Sequence, residues 1–260
     1  MSSKYWASRL ARTQIRLTNK SIRAVEKQMR QYYAKTMDTV INGFESTYNK
    51  LIATVEAGHD PTPADLYKLD KYWQLQAQIR RELEKMGNRQ IVALSKQFEI
   101  NWFDIYYSIA LDGKTAYTTL DTNAIQAILN TVWCADGKTW KERIWTNTSL
   151  LQEVLNDNLI DCVVAGKKTT QLKELLEHSF EVSYHRADAL VRTELAHIQT
   201  TAAQQRYKDY GIEQVEVFVD EDERTCPICG KHEGDRHSVN SVMPVPFHPR
   251  CRCCMIPVIN

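Results

Sequence analysis

The residues best suited to chemistry lie near the C-terminus: Cys226-Pro-Ile-Cys229 and, eighteen residues on, His248-Pro-Arg-Cys251-Arg-Cys253-Cys254. A Cys-x-x-Cys turn sets two thiolates on one side and supplies half of a tetrahedral zinc site. His248-x-x-Cys251 has the spacing of a second half. If that segment is extended, Cys251 and Cys253 share a face because side chains alternate, so either one completes the set, while Cys254 points away. The chemistry implied is a structural Zn2+. Four protein donors leave no position for a substrate, and the ion staples a segment too poor in apolar residues to fold alone. Reduced, metal-free thiols are the alternative. A redox Cys-x-x-Cys is weaker, since no strand-then-helix setting surrounds the pair. His232 and His237 fall in the intervening loop and read as solvated. A His-Asn-His nuclease would need an Asp-His pair or a downstream Asn-His element, and the sequence has neither. No catalytic residue is assigned and no enzyme is expected.

Around this tail the chain is ordinary. It has 260 residues, 33 basic against 32 acidic, with 43% hydrophobic residues. That is enough for one large domain or two small ones with a real core. No apolar run exceeds four residues, as in Ile91–Leu94 and Cys162–Ala165, far below the roughly 18 needed to span a bilayer. The N-terminus lacks the apolar core of a secretory signal. Seven cysteines, five of them in the last 35 residues, make a poor disulfide framework.

The elements that must hold the tail read as helical. Proline is absent from residues 1–60 and 64–226, which favours helices over those lengths. Apolar residues recur at three- and four-residue steps from Ile22 to Val55. Asp60-Pro-Thr-Pro reads as a loop, with Thr62 as N-cap and Pro63 at the first helical position. A further helical pattern runs from about Ala64 to Ala110, with a candidate break at Gly87. After Asp112-Gly113, helices are expected near Asn123–Val132, over Ser149–Ala165 with a stop at Gly166, around Leu172–Phe180, and over Ser183–Tyr210 with Gly211 as cap. Cys134 and Cys162 fall in helical patterns as small core residues. Val215, Val217 and Val219 then alternate with Glu216, Phe218 and Asp220 as one strand.

Charge is unevenly placed. The first 35 residues carry nine Lys or Arg and one acid, Glu26. The neutral total therefore hides a basic end and an acidic remainder. Arg9, Arg12, Arg16, Lys20, Arg23, Lys27 and Arg30 step by three or four and form one helical stripe. Such a row suits an acidic partner surface or nucleic-acid phosphates, bound without sequence reading and weakened by salt. A plain solvated face is the bland alternative.

Val191-Arg-Thr-Glu194, Asp222-Glu-Arg-Thr-Cys-Pro-Ile-Cys229 and Pro246-Phe-His-Pro-Arg-Cys-Arg-Cys253, with their spacing, resemble the minor head proteins of tailed phages, the head-morphogenesis family that includes the F protein of phage Mu. Trp140 and Trp145, and Tyr5-Trp6, also look like the family pattern. The resemblance is specific over about 140–257 and loose over 1–110. It implies a structural role in the virion, inside the head at the portal vertex, after assembly in the bacterial host cytoplasm. Expected partners are the portal protein, then major capsid or scaffold protein and non-specific DNA, with no membrane and no small-molecule substrate. Some relatives carry a toxin domain after the head-protein module; none is expected here. Arg192 and Glu194, two apart on a helix, point to different sides. Each is expected to fix its helix to a neighbour, and His197 lies on the Glu194 face.

The expected fold is mainly α, with long N-terminal helices (1–112) forming a docking hairpin, a helical body (113–211) and a small zinc-stapled β or loop module (212–260). The alternative function is a zinc-containing nucleic-acid-binding protein acting outside the virion.

Overall fold

The computed structural model describes residues 3–55, 62–111, 122–219, 223 and 225–259. The Asp60-Pro61 pair, the Asp112-Gly113 break, Asp220, Asp222 and Arg224 lie outside the described residues. The protein is mainly helical with a small C-terminal strand module. Helix α1 spans Ser3–Val55, α2 Pro63–Tyr67, α3 Asp70–Ser108, α4 Thr122–Leu129, α5 Trp140–Val164 and α6 Thr169–Asp209. Strand β1 (Gln214–Phe218), the one-turn helix α7 (Pro227–Gly230), β2 (Arg236–Ser238) and β3 (Cys254–Pro257) follow.

The helix ends follow local chemistry. At the start of α2, the Thr62 hydroxyl and N–H donate to one Asp65 carboxylate oxygen at 2.6 and 3.1 Å, with Pro63 behind them. At the end of α6, Gly211 takes φ +70°. Its N–H reaches the Lys208 carbonyl, and the Ile212 N–H reaches that of Tyr207. A residue with a Cβ is strained in that conformation, so Gly211 closes the helix as expected.

Several expectations need correction. Helix α3 runs through Gly87 unbroken, because one glycine inside a helix costs only about 1 kcal/mol. The separate helices expected on either side of Glu181 are one, since Glu181-Val182-Ser183 holds neither Gly nor Pro. Helix α5 starts at Trp140 rather than Ser149. Cys134 sits half-buried in the turn after α4, not in a helix, whereas Cys162 is fully buried in α5. The one expected strand, with Val215 and Val217 buried, is joined by two more. The sheet is antiparallel with order β2-β1-β3, pairing Val215 with His237 and Val217 with Met255. Three residues of β2 are too few to show alternation, and β3 is buried on both faces and so shows none.

The chain divides into two compact units. One comprises Met1–Glu26, Ala93–Trp140 and Asp188–Asn260; the other comprises Lys27–Val92 and Lys141–Ala187. In the first, Trp102 stacks on Tyr106 at 5.2 Å, and Phe98 meets Trp140 edge-on at 5.1 Å. Arg206, 2% exposed, lies over the rings of Tyr106 and Tyr210 and donates to the Ile109 carbonyl at 3.1 Å. Cation–π contact and hydrogen bonds thus offset the cost of burying that charge. In the second, the hydroxyl of Tyr33 meets Ser183 and receives the Asn147 amide at 3.2 Å. The Tyr48 hydroxyl lies 2.9 and 2.7 Å from the carbonyls of Cys162 and Lys167.

Candidate metal centre

The first half of the centre is built by α7. Cys226 stands at its N-cap with Pro227 at the first helical position, and its sulfur accepts the Cys229 N–H at 3.3 Å. A single helical turn therefore sets both sulfurs on one side. The second half is a tight turn in which the Cys251 N–H donates to the His248 carbonyl at 3.2 Å. Arg250 inside that turn takes φ +64°, a left-handed backbone unusual for a residue with a Cβ.

The two halves converge. His248 Nε2 lies 3.1 Å from Cys226 Sγ and 3.0 Å from Cys229 Sγ, and Cys229 Sγ lies 3.8 Å from Cys251 Sγ. Donor atoms of Cys226, Cys229 and His248 form one group within 4.8 Å, and those of Cys229, Cys251 and Cys253 form a second. Cys229 belongs to both, so the two groups of candidate ligands adjoin at that thiol. A tetrahedral ion with metal–sulfur bonds of about 2.3 Å has sulfur–sulfur edges of about 3.8 Å, the separation found for Cys229 and Cys251. The cluster could hold a metal ion. Cys254 is fully buried away from it, packed with Ala11 and Ile256. His232 pairs with Asp235 at 2.9 Å and stacks on Phe247. Neither His232 nor His237 joins the cluster among the described residues.

Proton affinities in the cluster are divided. Hydrogen bonding from Cys253 holds the Cys251 thiol down to about 5, and the same contact raises Cys253. Burial pushes the Cys229 thiol up to about 12. The Cys229 N–H lowers Cys226. Burial works against a charged His248, yet the Pro249 carbonyl and the thiols of Cys251 and Cys226 raise it overall. These shifts favour thiolate at Cys251 and the protonated form at His248, groups whose protons a bound cation would replace.

Helix α6 anchors the second half. The Arg250 guanidinium pairs with Asp188 at 3.0 Å, and its backbone N–H donates to the Thr193 hydroxyl at 3.1 Å. Asp188 also receives Arg192 Nε on both oxygens at 3.1 Å, and Arg192 continues to Glu26 of α1. Burial, then the neighbouring Arg250, lowers the Arg192 pKa. Glu194, 3% exposed, accepts the Trp133 indole N–H at 2.9 Å, and that indole stacks on His197 at 4.2 Å. Asp188 and Trp133 carried no sequence signal, because a lone acid and a lone aromatic gain meaning only from their neighbours in space.

On α1, Arg9, Arg12, Arg16, Lys20, Arg23, Lys27 and Arg30 are all exposed, while Ala11, Gln14, Thr18, Ser21, Ile22, Val25 and Met29 are buried. Lys20 approaches Asp104 at 4.0 Å, Arg9 lies over Trp6, and Arg30 lies over Tyr184. Tyr5 and Trp6 are about half exposed. No helix among the described residues is long and apolar enough to cross a membrane.

Comparison with curated proteins and with solved structures gave no match. A family model does match, over residues 153–256, less than half of the chain. The span contains the Val191–Glu194 stretch, the Cys226–Cys229 turn and the His248–Cys253 turn, and it excludes Trp140, Trp145 and Tyr5-Trp6. Across 153–256, the part that builds the candidate metal centre and its anchor on α6, this chain is similar to the family described as Phage Mu protein F like protein.

Proposed function

We propose that the protein is a structural minor head protein of a tailed phage or prophage, bound near the portal vertex inside the head and aiding head assembly and DNA packaging or delivery. The single observation that carries this reading is the family match over 153–256, which coincides with the Cys/His cluster and the helix that anchors it. In this reading the cluster holds a structural Zn2+. Bound there, the ion would replace a hydrophobic core as the staple of the C-terminal module. Cys226, Cys229 and His248, with Cys251 or Cys253, hold it. The exposed cations of α1 contact DNA phosphates or an acidic face of the portal ring, which they attract without reading sequence. No catalytic step is assigned to Arg192 or Glu194, whose charged groups are engaged in anchoring contacts.

The test is co-expression with the portal protein of the same genome, followed by size exclusion and mass analysis of the ring. Co-elution at fixed stoichiometry supports the head-protein reading. A portal that elutes alone favours the second reading, a zinc-containing nucleic-acid-binding protein outside the virion, for which the cation row is the favouring observation. DNA binding by the free full-length chain then decides. It should fall steeply between 50 and 200 mM salt and weaken in an Arg12→Glu/Arg16→Glu variant. Salt-insensitive binding, or none, removes the phosphate contact.

A further inference from the structure

We propose that the ion pairs Arg250–Asp188–Arg192–Glu26 couple occupancy of the Cys/His cluster to the packing of residues 7–26 of α1, with Arg250 as the positioning residue. The inference rests on the metal reading above and concerns only this chain's own residues.

Arg250 lies between two of the expected ligands, His248 and Cys251, at the residue whose left-handed backbone makes the turn. Held by Asp188 through its side chain and by Thr193 through its N–H, it fixes the spacing of those ligands against α6. Asp188 is 8% exposed and shared by two guanidinium groups. The second of these, Arg192, spends its remaining contact on Glu26 of α1. Two cations and two carboxylates therefore form one neutral chain, running from the ligand turn through α6 into α1. Loss of Arg250 removes the side-chain tie between the ligand turn and α6, and loss of the Arg192–Glu26 pair takes from the half-buried Glu26 carboxylate its cation on α6.

A second line of contact joins the same parts. Strand β3 begins immediately after Cys253. Its Cys254 and Ile256 form an apolar cluster with Ala11, against which Ala7, Ile15 and Phe218 pack. The Met255 carbonyl accepts the Tyr207 hydroxyl at 3.0 Å, and the Gln14 amide donates to that hydroxyl at 2.9 Å. Residues 7–26 of α1 thus lean on the strand and the turn that the cluster holds. A module ordered by its metal loosens when the metal leaves, and this stretch of α1 then loses its support. It carries Arg9, Arg12, Arg16, Lys20 and Arg23, so the ion governs how those cations are presented.

The test uses the full chain. Zinc content of the wild type is measured first, then zinc affinity by competition with a chromogenic chelator, then amide hydrogen exchange with zinc and after stripping with EDTA. Stripping should speed exchange in residues 226–256 and in residues 7–26 together, with residues 150–164 as internal reference. Arg250→Gly keeps the left-handed backbone at no steric cost and removes the side chain with its guanidinium. It should bind zinc about tenfold more weakly, the lower end for a lost outer partner, and exchange faster in 7–26 even when loaded. Arg250→Lys, which keeps a cation near Asp188, should recover part of both. Asp188→Asn, nearly isosteric, gives the same readings if the glycine variant does not fold. Stripping that loosens 226–256 but leaves 7–26 unchanged overturns the coupling and leaves the metal site standing. Wild-type affinity and exchange in Arg250→Gly overturn the role of Arg250. A wild type that takes up no zinc overturns the metal reading, and this inference with it.

Discussion

Trp145 lies so close over Gly87 that a Cβ built on the glycine would stand 2.7 Å from Cζ3 and 3.0 Å from Cη2 of the indole. Helix α3 therefore needs a residue without a side chain at this point, and the ring from α5 takes the space. Alanine would gain about 1 kcal/mol of helix propensity, but it forces the ring outward, and overpacking of this kind costs about 1–3 kcal/mol. Gly87→Ala should lower the thermal midpoint, and Gly87→Ala combined with Trp145→Leu should recover it. A single variant more stable than the wild type would show that the indole moves aside freely.

The shared position of Cys229 predicts an order among thiol substitutions. It lies in both donor groups, so Cys229→Ser should lose bound zinc more completely than Cys251→Ser or Cys253→Ser. Of those two, the variant that keeps a full complement identifies the thiol that is not a ligand. Cys254→Ser should keep its zinc, because that side chain packs against Ala11 and Ile256 instead. Zinc per chain by elemental analysis, after gel filtration, reads all four. Uptake should weaken as pH falls, since Cys229 and its neighbours must release protons to bind the ion. A full complement in Cys229→Ser would remove the proposed site.

The parts of this arrangement legible in the sequence are those set by short spacing. Cys226 and Cys229 are one helical turn apart, Gly211 closes α6, and Val215 and Val217 alternate, all from local rules. The convergence of Cys251 and Cys253 on Cys229 was legible as two alternatives, because alternation puts both on one face. What the sequence could not show depends on distant residues. Nothing near Gly87 announces that Trp145, 58 positions later, needs its space. Nothing near Asp188 announces Arg250. The joined helix α6 was missed for a different reason: its buried face runs on unbroken through Phe180, Ser183, Tyr184 and Ala187, but Ser179 and Ser183 on that face are polar, and polar residues in a buried stripe look like a gap in the apolar pattern. The compact units draw on non-contiguous stretches, with α1, α3, α5 and α6 each contributing to both, and reading along the chain does not reveal such sharing.

The Trp133 indole and the Glu194 carboxylate make a prediction about anchoring. Glu194→Gln keeps an oxygen able to accept the indole N–H and should be close to neutral. Glu194→Ala leaves that donor without the acceptor, which typically costs about 1–3 kcal/mol. Urea unfolding followed by tryptophan emission compares the two. Equal stability in the alanine variant and the wild type would mean that Glu194 does not hold this part of α6 in place.

His197 sets a pH dependence whose sign follows from its burial. The imidazole, stacked on Trp133, is pushed down to about 4 from its ordinary 6.5 because the charged form is desolvated. In the unfolded chain it would take up a proton near 6.5. Between pH 6.5 and 4 the unfolded state therefore binds more protons than the folded one. The stabilisation is full above pH 6.5 and is lost as pH falls toward 4. A shift of this size corresponds to about 3 kcal/mol at most. Carboxylates and the thiol cluster also titrate, so the quantity to read is the difference between wild type and His197→Phe, both zinc-loaded or both stripped. Phenylalanine keeps a ring for Trp133 to stack on and has nothing to protonate. The stability advantage of the wild type should shrink steadily from pH 7 to pH 4. Parallel curves across that range would mean that His197 is not held neutral by burial in the fold.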